Sequence, residues 1–345
     1  MTAPAHDHRT ATGRAPDDPG DPGGPVARNP RAEAQAVVGD RYEARVLEPS
    51  PPAVVDGEWF ADDPVAVGPE VERPVVGPVG SADLSWDQWL ADQPELAPWA
   101  SARWLGAYRR LGQLPATWPE TRTALHRLAV YVLSPARRRV NGKMALRFTF
   151  GGLGTPCFGA DEQVRLAGTR IVRQRGTDAA AQEVTTLAEA AGFVLDGPPD
   201  LAWAESFDVP PAGDVDEALA VDPAAATLLG DWTGFAWSVL EAARADPAST
   251  DPNRIQLWPE HFDAAFDCLP AERRVTLGAS PGDQAVPEPY LYVLPWDFEA
   301  APPSEVWNAE HFNGAILPFG ELGGQADQRG TALAFLRHGR DLMAG

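Results

Sequence analysis

Histidine and carboxylate side chains crowd together in one stretch, WPEHFDAAFD at 258–267, where Glu260, His261, Asp263 and Asp267 stand among Trp258, Phe262 and Phe266. Imidazole and carboxylate suit both acid–base work and metal ligation, because histidine titrates near neutral pH and both groups offer lone pairs. If the stretch is extended, alternate side chains share a face, so His261 and Asp263 project together and Glu260 projects opposite. A helical turn there breaks that pairing. The motif returns downstream, since PEHFDAA at 259–265 is echoed by AEHFNGA at 309–315, with Trp258 and Trp307 just before the two copies. Were the copies to meet in space, His261, Asp263 and His311 would face one polar pocket walled by Trp258 and Trp307. Within it, His261 and Asp263 form the catalytic pair, and adding His311 makes a metal site for a divalent ion. No other cofactor is indicated.

Two further chemistries compete with that one. Cys157, in the Gly-rich run GGLGTPCFG at 151–159, is a thiol nucleophile if an imidazole such as His261 or His311 comes within hydrogen-bond reach. The same run lacks both the GxGxxG and the GxxxxGK[ST] spacing, and Pro156 keeps it from opening directly into a helix, so it reads as a sharp turn rather than a phosphate loop. Alternatively no reaction occurs, and Trp258, Trp307, Tyr290, Tyr292 and Glu260 line a small-ligand site or pack a core. His126 reads as structural, because no acid stands at helical spacing from it. His6 and His8 lie in a solvated tail.

The elements that must position these residues follow from turn signals and periodicity. Three β-prone runs, 254–258, 273–277 and 290–296, are separated by Pro, Gly and Asp and joined too closely for crossover helices, which predicts an antiparallel meander. In the last run Tyr290 and Tyr292 share one face, and Leu291 and Val293 the other. Upstream, a strand over 143–150 and a hairpin of 163–166 with 169–174 are predicted. Helices are predicted over about 119–138 with Thr117 as cap, over 184–193, from Pro223 with Asp222 as cap, and over 326–342 with Leu333, Phe335 and Leu336 inward. Strands in two blocks with helices before, between and after them argue for an α+β fold of antiparallel sheets packed with several helices. Residues 1–35 read as a disordered tail. Residues 36–80 read as a Pro-rich extended arm on the domain, and 81–345 as a single composite domain with an acidic, Pro-rich loop at 196–221.

The runs LWPEHFD, GASPGD, PEPYLYV and RFTFGGLGTPCFG resemble a group of uncharacterised actinobacterial proteins. The resemblance implies a domain shared with them and carries no activity, ligand or site.

Charge is segregated along the chain. The formal net charge is -21, and of 28 basic residues only Lys143 is a lysine. Nine bases fall between Arg137 and Arg175, whereas residues 176–243 hold thirteen acids and no base. An acidic chain of this kind is repelled by phosphate backbones, which argues against nucleic acid as a partner. Either the acidic segment is simply solvated, or it folds back on the basic block, or it captures a basic protein through Trp203 and Phe207. The N-terminal stretch has no apolar leader and no run approaches the roughly 18 apolar residues of a membrane span. Two cysteines, Cys157 and Cys268, make no disulfide framework and no CxxC pair, which fits a reducing cytoplasm. No pattern speaks to an oligomeric state. The leading reading is therefore a soluble cytoplasmic protein that binds a small ligand or a protein, and the alternative is a hydrolytic or metal-assisted enzyme using His261, Asp263 and His311.

Overall fold

The computed structural model describes residues 111–149, 152–156, 158, 162–175, 178–253 and 255–344. The readings for the tail, the arm, the segment 81–110 and Cys157 lie outside the described residues. What is described is an α+β fold of two five-stranded antiparallel meanders with helices before, between and after them.

The first meander comprises β1 (Arg147–Thr149), β2 (Gly152–Gly154), β3 (Glu162–Ala167), β4 (Arg170–Arg175) and β5 (Asp178–Glu183), in that spatial order. The second comprises β6 (Gln256–Trp258), β7 (Asp263–Cys268), β8 (Val275–Ser280), β9 (Tyr290–Pro295) and β10 (Ala315–Pro318), again in chain order. Each meander puts its first strand at a common seam, where Leu146 and Leu257 exchange backbone hydrogen bonds of 2.7 and 2.9 Å in antiparallel sense. One pair of residues thus joins the two sheets edge to edge.

Four strands, β2, β5, β7 and β10, depart from the sequence reading. The run expected to be a sharp turn contains β2, which is possible because Gly152 and Gly154 have no Cβ: one would lie 2.2 Å from the Leu166 carbonyl oxygen and 2.5 Å from that of Val164 respectively. Neither β5, DAAAQE, nor β7, DAAFDC, carries the β-branched residues that mark strands, so pairing with neighbours decides their conformation.

A helix opens the described part as α1 (Trp118–Leu128), passes through a π-helical segment (Ala129–Leu133) and ends as α2 (Ser134–Asn141). Proline explains the interruption. Pro135 has no N–H to give the carbonyl of Tyr131 four residues back, and that carbonyl instead accepts the N–H of Asp200 at 3.1 Å. Thr117 makes no side-chain cap, contrary to expectation, and the start is set by Pro119 in the first turn. Gly142, at φ 77°, ends α2 in the left-handed conformation that glycine adopts without penalty.

Helix α3 (Leu187–Leu195) is capped by Thr186, and α4 (Leu201–Ala204) is a single turn. Helix α5 (Pro223–Arg244) begins as read, with Asp222 accepting the N–H of Ala225 at 2.9 Å and Pro223 in the first turn. It lies across β1–β3 and β7–β8 and buries Leu229, Trp232, Phe235, Val239 and Leu240. After α6 (Phe319–Gly323), α7 (Gln328–Ala344) covers β8–β10, with Leu336 buried while Leu333 and Phe335 are only partly so. One cluster of buried apolar side chains runs through both meanders.

In the second sheet the strand period of two divides the faces. Leu257, Ala264, Phe266, Leu277, Leu291, Val293 and Ala315 turn to the helices. Asp263, Asp267, Thr276, Ser280, Tyr290 and Tyr292 share the other face, as the alternation of Tyr290 and Tyr292 predicts.

Charge segregation is partly resolved within the chain. Asp196 pairs with Arg173 at 3.1 Å and Arg175 at 3.3 Å, and Asp200 pairs with Arg138 at 2.5 Å. Trp203 lies beneath the Arg138 guanidinium, 5.3 Å from its ring centroid. The start of the acidic segment therefore folds back on the basic block. Part of that block lies inside the fold, since Arg137, Arg147 and Arg165 are buried, while Arg139 and Arg175 are exposed.

Candidate functional site

Helix α1 presents Trp118, Arg122 and His126 at intervals of four, hence along one stripe. Each donates to the backbone carbonyl of a proline in a loop at one end of the second sheet. Trp118 Nε1 reaches Pro281 at 3.0 Å, Arg122 Nη1 reaches Pro287 at 3.0 Å and His126 Nε2 reaches Pro259 at 2.8 Å. A carbonyl can only accept, so His126 carries its proton on Nε2. Its ring stacks on Phe262 with centroids 4.7 Å apart and planes 5° from parallel. Burial, above all, pushes the His126 pKa down to about 4, which leaves the ring neutral at physiological pH.

The stretch 259–262 is a tight turn between β6 and β7, not an extended run. Phe262 sits at φ 58°, a conformation that a bulky side chain rarely adopts, and its N–H returns to the Trp258 carbonyl at 2.7 Å. The expected pairing of His261 and Asp263 on one strand face is therefore replaced. His261 stands exposed on the turn, Glu260 is half-buried, and Asp263 opens β7 with 9 % of its surface exposed. Together they step from rim to floor.

Asp263 is reached from across the sheet. Tyr292 on β9 pairs with Gly278 on β8, and Gly278 pairs with Ala265 on β7. Lacking a side chain, Gly278 lets the Tyr292 ring lie over β8, and the hydroxyl donates to Asp263 Oδ2. Phe312 meets the Tyr292 ring edge-on, with centroids 6.3 Å apart. The two EHF copies thus both touch Tyr292, one through Asp263 and the other through Phe312.

Neighbouring carboxylates show how unusual Asp263 is. Asp267 accepts from Thr276 at 2.7 Å on one oxygen and from Asn253 at 3.0 Å on the other. Asp283 accepts from the N–H groups of Ala285 and Val286 on Oδ1 and from the Tyr290 hydroxyl on Oδ2. By contrast, Asp263 Oδ1 and Glu260 Oε2 are buried without any hydrogen-bond partner. Burial raises the pKa of both groups, to about 6 for Glu260, against the opposing pull of the nearby His261. Burial first, then the charge of Asp263, drives the Tyr292 hydroxyl well above its ordinary value. A buried acceptor left unsatisfied costs about 1–3 kcal/mol, so native proteins seldom keep one without a role.

No family model, curated protein or solved structure matches this chain.

Of the residues singled out from sequence, the structure brings together Glu260, His261, Asp263 and Tyr292. Trp258 opens onto them as the register partner of Asp263. Tyr290 is held one step away on Asp283. Trp307 is spent within its own loop, stacking edge-on against Phe298 and donating to the Pro302 carbonyl at 2.8 Å. His311 is exposed in the loop before β10. Among the described residues no three His, Cys, Asp or Glu side chains are placed to hold a metal ion, so the set His261, Asp263 and His311 is not assembled as one. Cys268 is a free, buried thiol, pushed up by burial to about 11.

Sequence reasoning named His126 only as structural, without its partner, and missed Arg122 and Gly278. The first two were legible as a stripe, since Trp118, Arg122 and His126 recur every four residues. Gly278 became meaningful only through the register that sets it opposite Tyr292.

Proposed function

We propose that this chain is a small-ligand-binding protein whose site is the end of the second sheet, with Asp263 as floor, Glu260 as wall and His261 at the rim. One observation supports it most directly: two buried carboxylate oxygens within one turn lack donors, while every oxygen of the neighbouring Asp267 and Asp283 has one. Phe262 in the left-handed region beside them adds local strain, which persists mainly at sites of function. No helix among the described residues is long and apolar enough to cross a membrane. We place the protein in a reducing cytoplasm, where Cys268 remains a thiol.

A fragment screen at pH 7.5, read by ligand-detected NMR, tests the reading. Binders should lose their signal changes in Asp263→Asn and keep them in Asp267→Asn. Binders indifferent to Asp263→Asn would sink it.

A second reading, hydrolysis by acid–base catalysis, is favoured by the Glu260 carboxyl, whose pKa of about 6 beside an exposed imidazole suits proton transfer near neutral pH. It requires an ester- or amide-cleaving activity that Glu260→Gln abolishes and that titrates near pH 6.

A further inference from the structure

Resting on the binding site proposed above, we infer that its ligand is a small organic monocation, a protonated amine or a guanidinium group. Asp263 Oδ1 and Glu260 Oε2 are both acceptors, so whatever satisfies them must bring N–H or O–H donors. An anion such as phosphate offers further acceptors and meets like charge, because the carboxylates Glu260, Asp263 and Asp283 stand close together, with a described cation beside Asp283. That cation, Arg122, is already committed to the Pro287 carbonyl at 3.0 Å and is offset by Asp283. His126 faces the turn from α1 but donates its Nε2 proton to Pro259 and carries no charge at neutral pH. His261 sits at the exposed rim.

A bare metal ion is served poorly, since the described His, Cys, Asp and Glu side chains provide no set of three. A neutral amide would fill the hydrogen bonds but leave the charge of two desolvated carboxylates uncompensated. A protonated amine or guanidinium supplies donors and charge together, and a charge-assisted bond is roughly twice as strong as a neutral one. The walls fit the same group. Trp258 is the register partner of Asp263, and the Tyr292 ring lies over Gly278 with Phe312 at its edge. Aromatic faces attract cations through their quadrupole. A cation that enters past the exposed imidazole thus meets Glu260 and then Asp263 between aromatic rings.

The test uses the full chain at pH 7.5 and four probes: butylammonium, methylguanidinium, the neutral isostere N-methylurea, and acetate. Thermal melts are recorded over rising probe concentration at constant ionic strength, for the wild type, Glu260→Gln and Asp263→Asn. We expect the melting temperature to rise with butylammonium or methylguanidinium, through millimolar binding suited to a fragment. N-methylurea and acetate should do nothing, and either substitution should remove the effect. Both variants discard a buried charge, and the amide introduced by Asp263→Asn retains an oxygen for the Tyr292 hydroxyl, so both should fold. If N-methylurea or acetate protects and the cations do not, with dependence on Glu260 and Asp263, the inferred ligand class is wrong while the binding site stands. If no probe protects, or the cations protect both variants as well as the wild type, the inference and the site fall together.

Discussion

The Tyr292 hydroxyl donates to Asp263 Oδ2 from two strands away, over the backbone of Gly278. A Cβ on residue 278 would lie 2.2 Å from Tyr292 Cζ and 2.4 Å from its hydroxyl oxygen. Gly278→Ala should therefore expel the ring, leave both oxygens of Asp263 without donors and lower stability by about 1–3 kcal/mol. Urea unfolding checks this, with Ala265→Ser on the adjacent strand as a milder control. A variant as stable as the wild type would show that the ring has room elsewhere.

Glu260→Gln should stabilise the folded chain at pH 7.5. The folded-state pKa of Glu260 is raised to about 6, above its reference of 4.5. Its stabilising contribution is thus complete below pH 4.5 and is lost as pH rises through 6. At neutral pH the buried charge costs on the order of 1–2 kcal/mol, which the amide removes. Denaturation midpoints measured from pH 4 to 8 should converge for the two proteins at the acid end.

His126 acts in the opposite sense. Its folded-state pKa falls from 6.5 to about 4, so the unfolded chain takes up a proton first as the medium is acidified. The stability it contributes is present above pH 6.5 and is lost as pH falls toward 4. His126→Phe keeps the stacking on Phe262 but not the titration or the bond to Pro259. It should be less stable than the wild type at pH 7.5 and show a flatter profile from pH 6.5 to 4. Parallel profiles would assign the acid sensitivity to other groups.

Anchoring of the acidic segment should depend on Asp200 more than on ionic strength. The Asp200 N–H occupies the Tyr131 carbonyl freed by Pro135, while its carboxylate, 15 % exposed, holds Arg138. The pairs of Asp196 with Arg173 and Arg175 are more exposed, and salt screens them. Limited proteolysis should cut near Trp203 several-fold faster in Asp200→Ala. Raising salt on the wild type should change that rate little, and a strong salt response would mean that surface ion pairs hold the segment.

Read alone, the sequence determined the features written in local chemistry. Asp222 and Pro223 announce α5, because a capping carboxylate and a proline without N–H suit the same helix end. Alternating Tyr290, Leu291, Tyr292 and Val293 fixes which face of β9 meets the core. Strand runs joined by short Pro- and Gly-rich links allow only antiparallel pairing, and with the flanking helices they give the α+β class. Tertiary structure decided what local preference could not. DAAAQE and DAAFDC become strands only because paired neighbours complete their hydrogen bonds. Spacing alone set His261 beside Asp263, whereas the tight turn at 259–262 separates rim from floor. Tyr292 lies 29 residues from Asp263 along the chain, and His126 lies 133 residues from Pro259. Their meeting depends on sheet register and on a helix crossing the end of the sheet, and neither leaves a mark in any short stretch of sequence. The unsatisfied oxygens of Glu260 and Asp263 are likewise a property of burial, which exists only once the chain has folded around them.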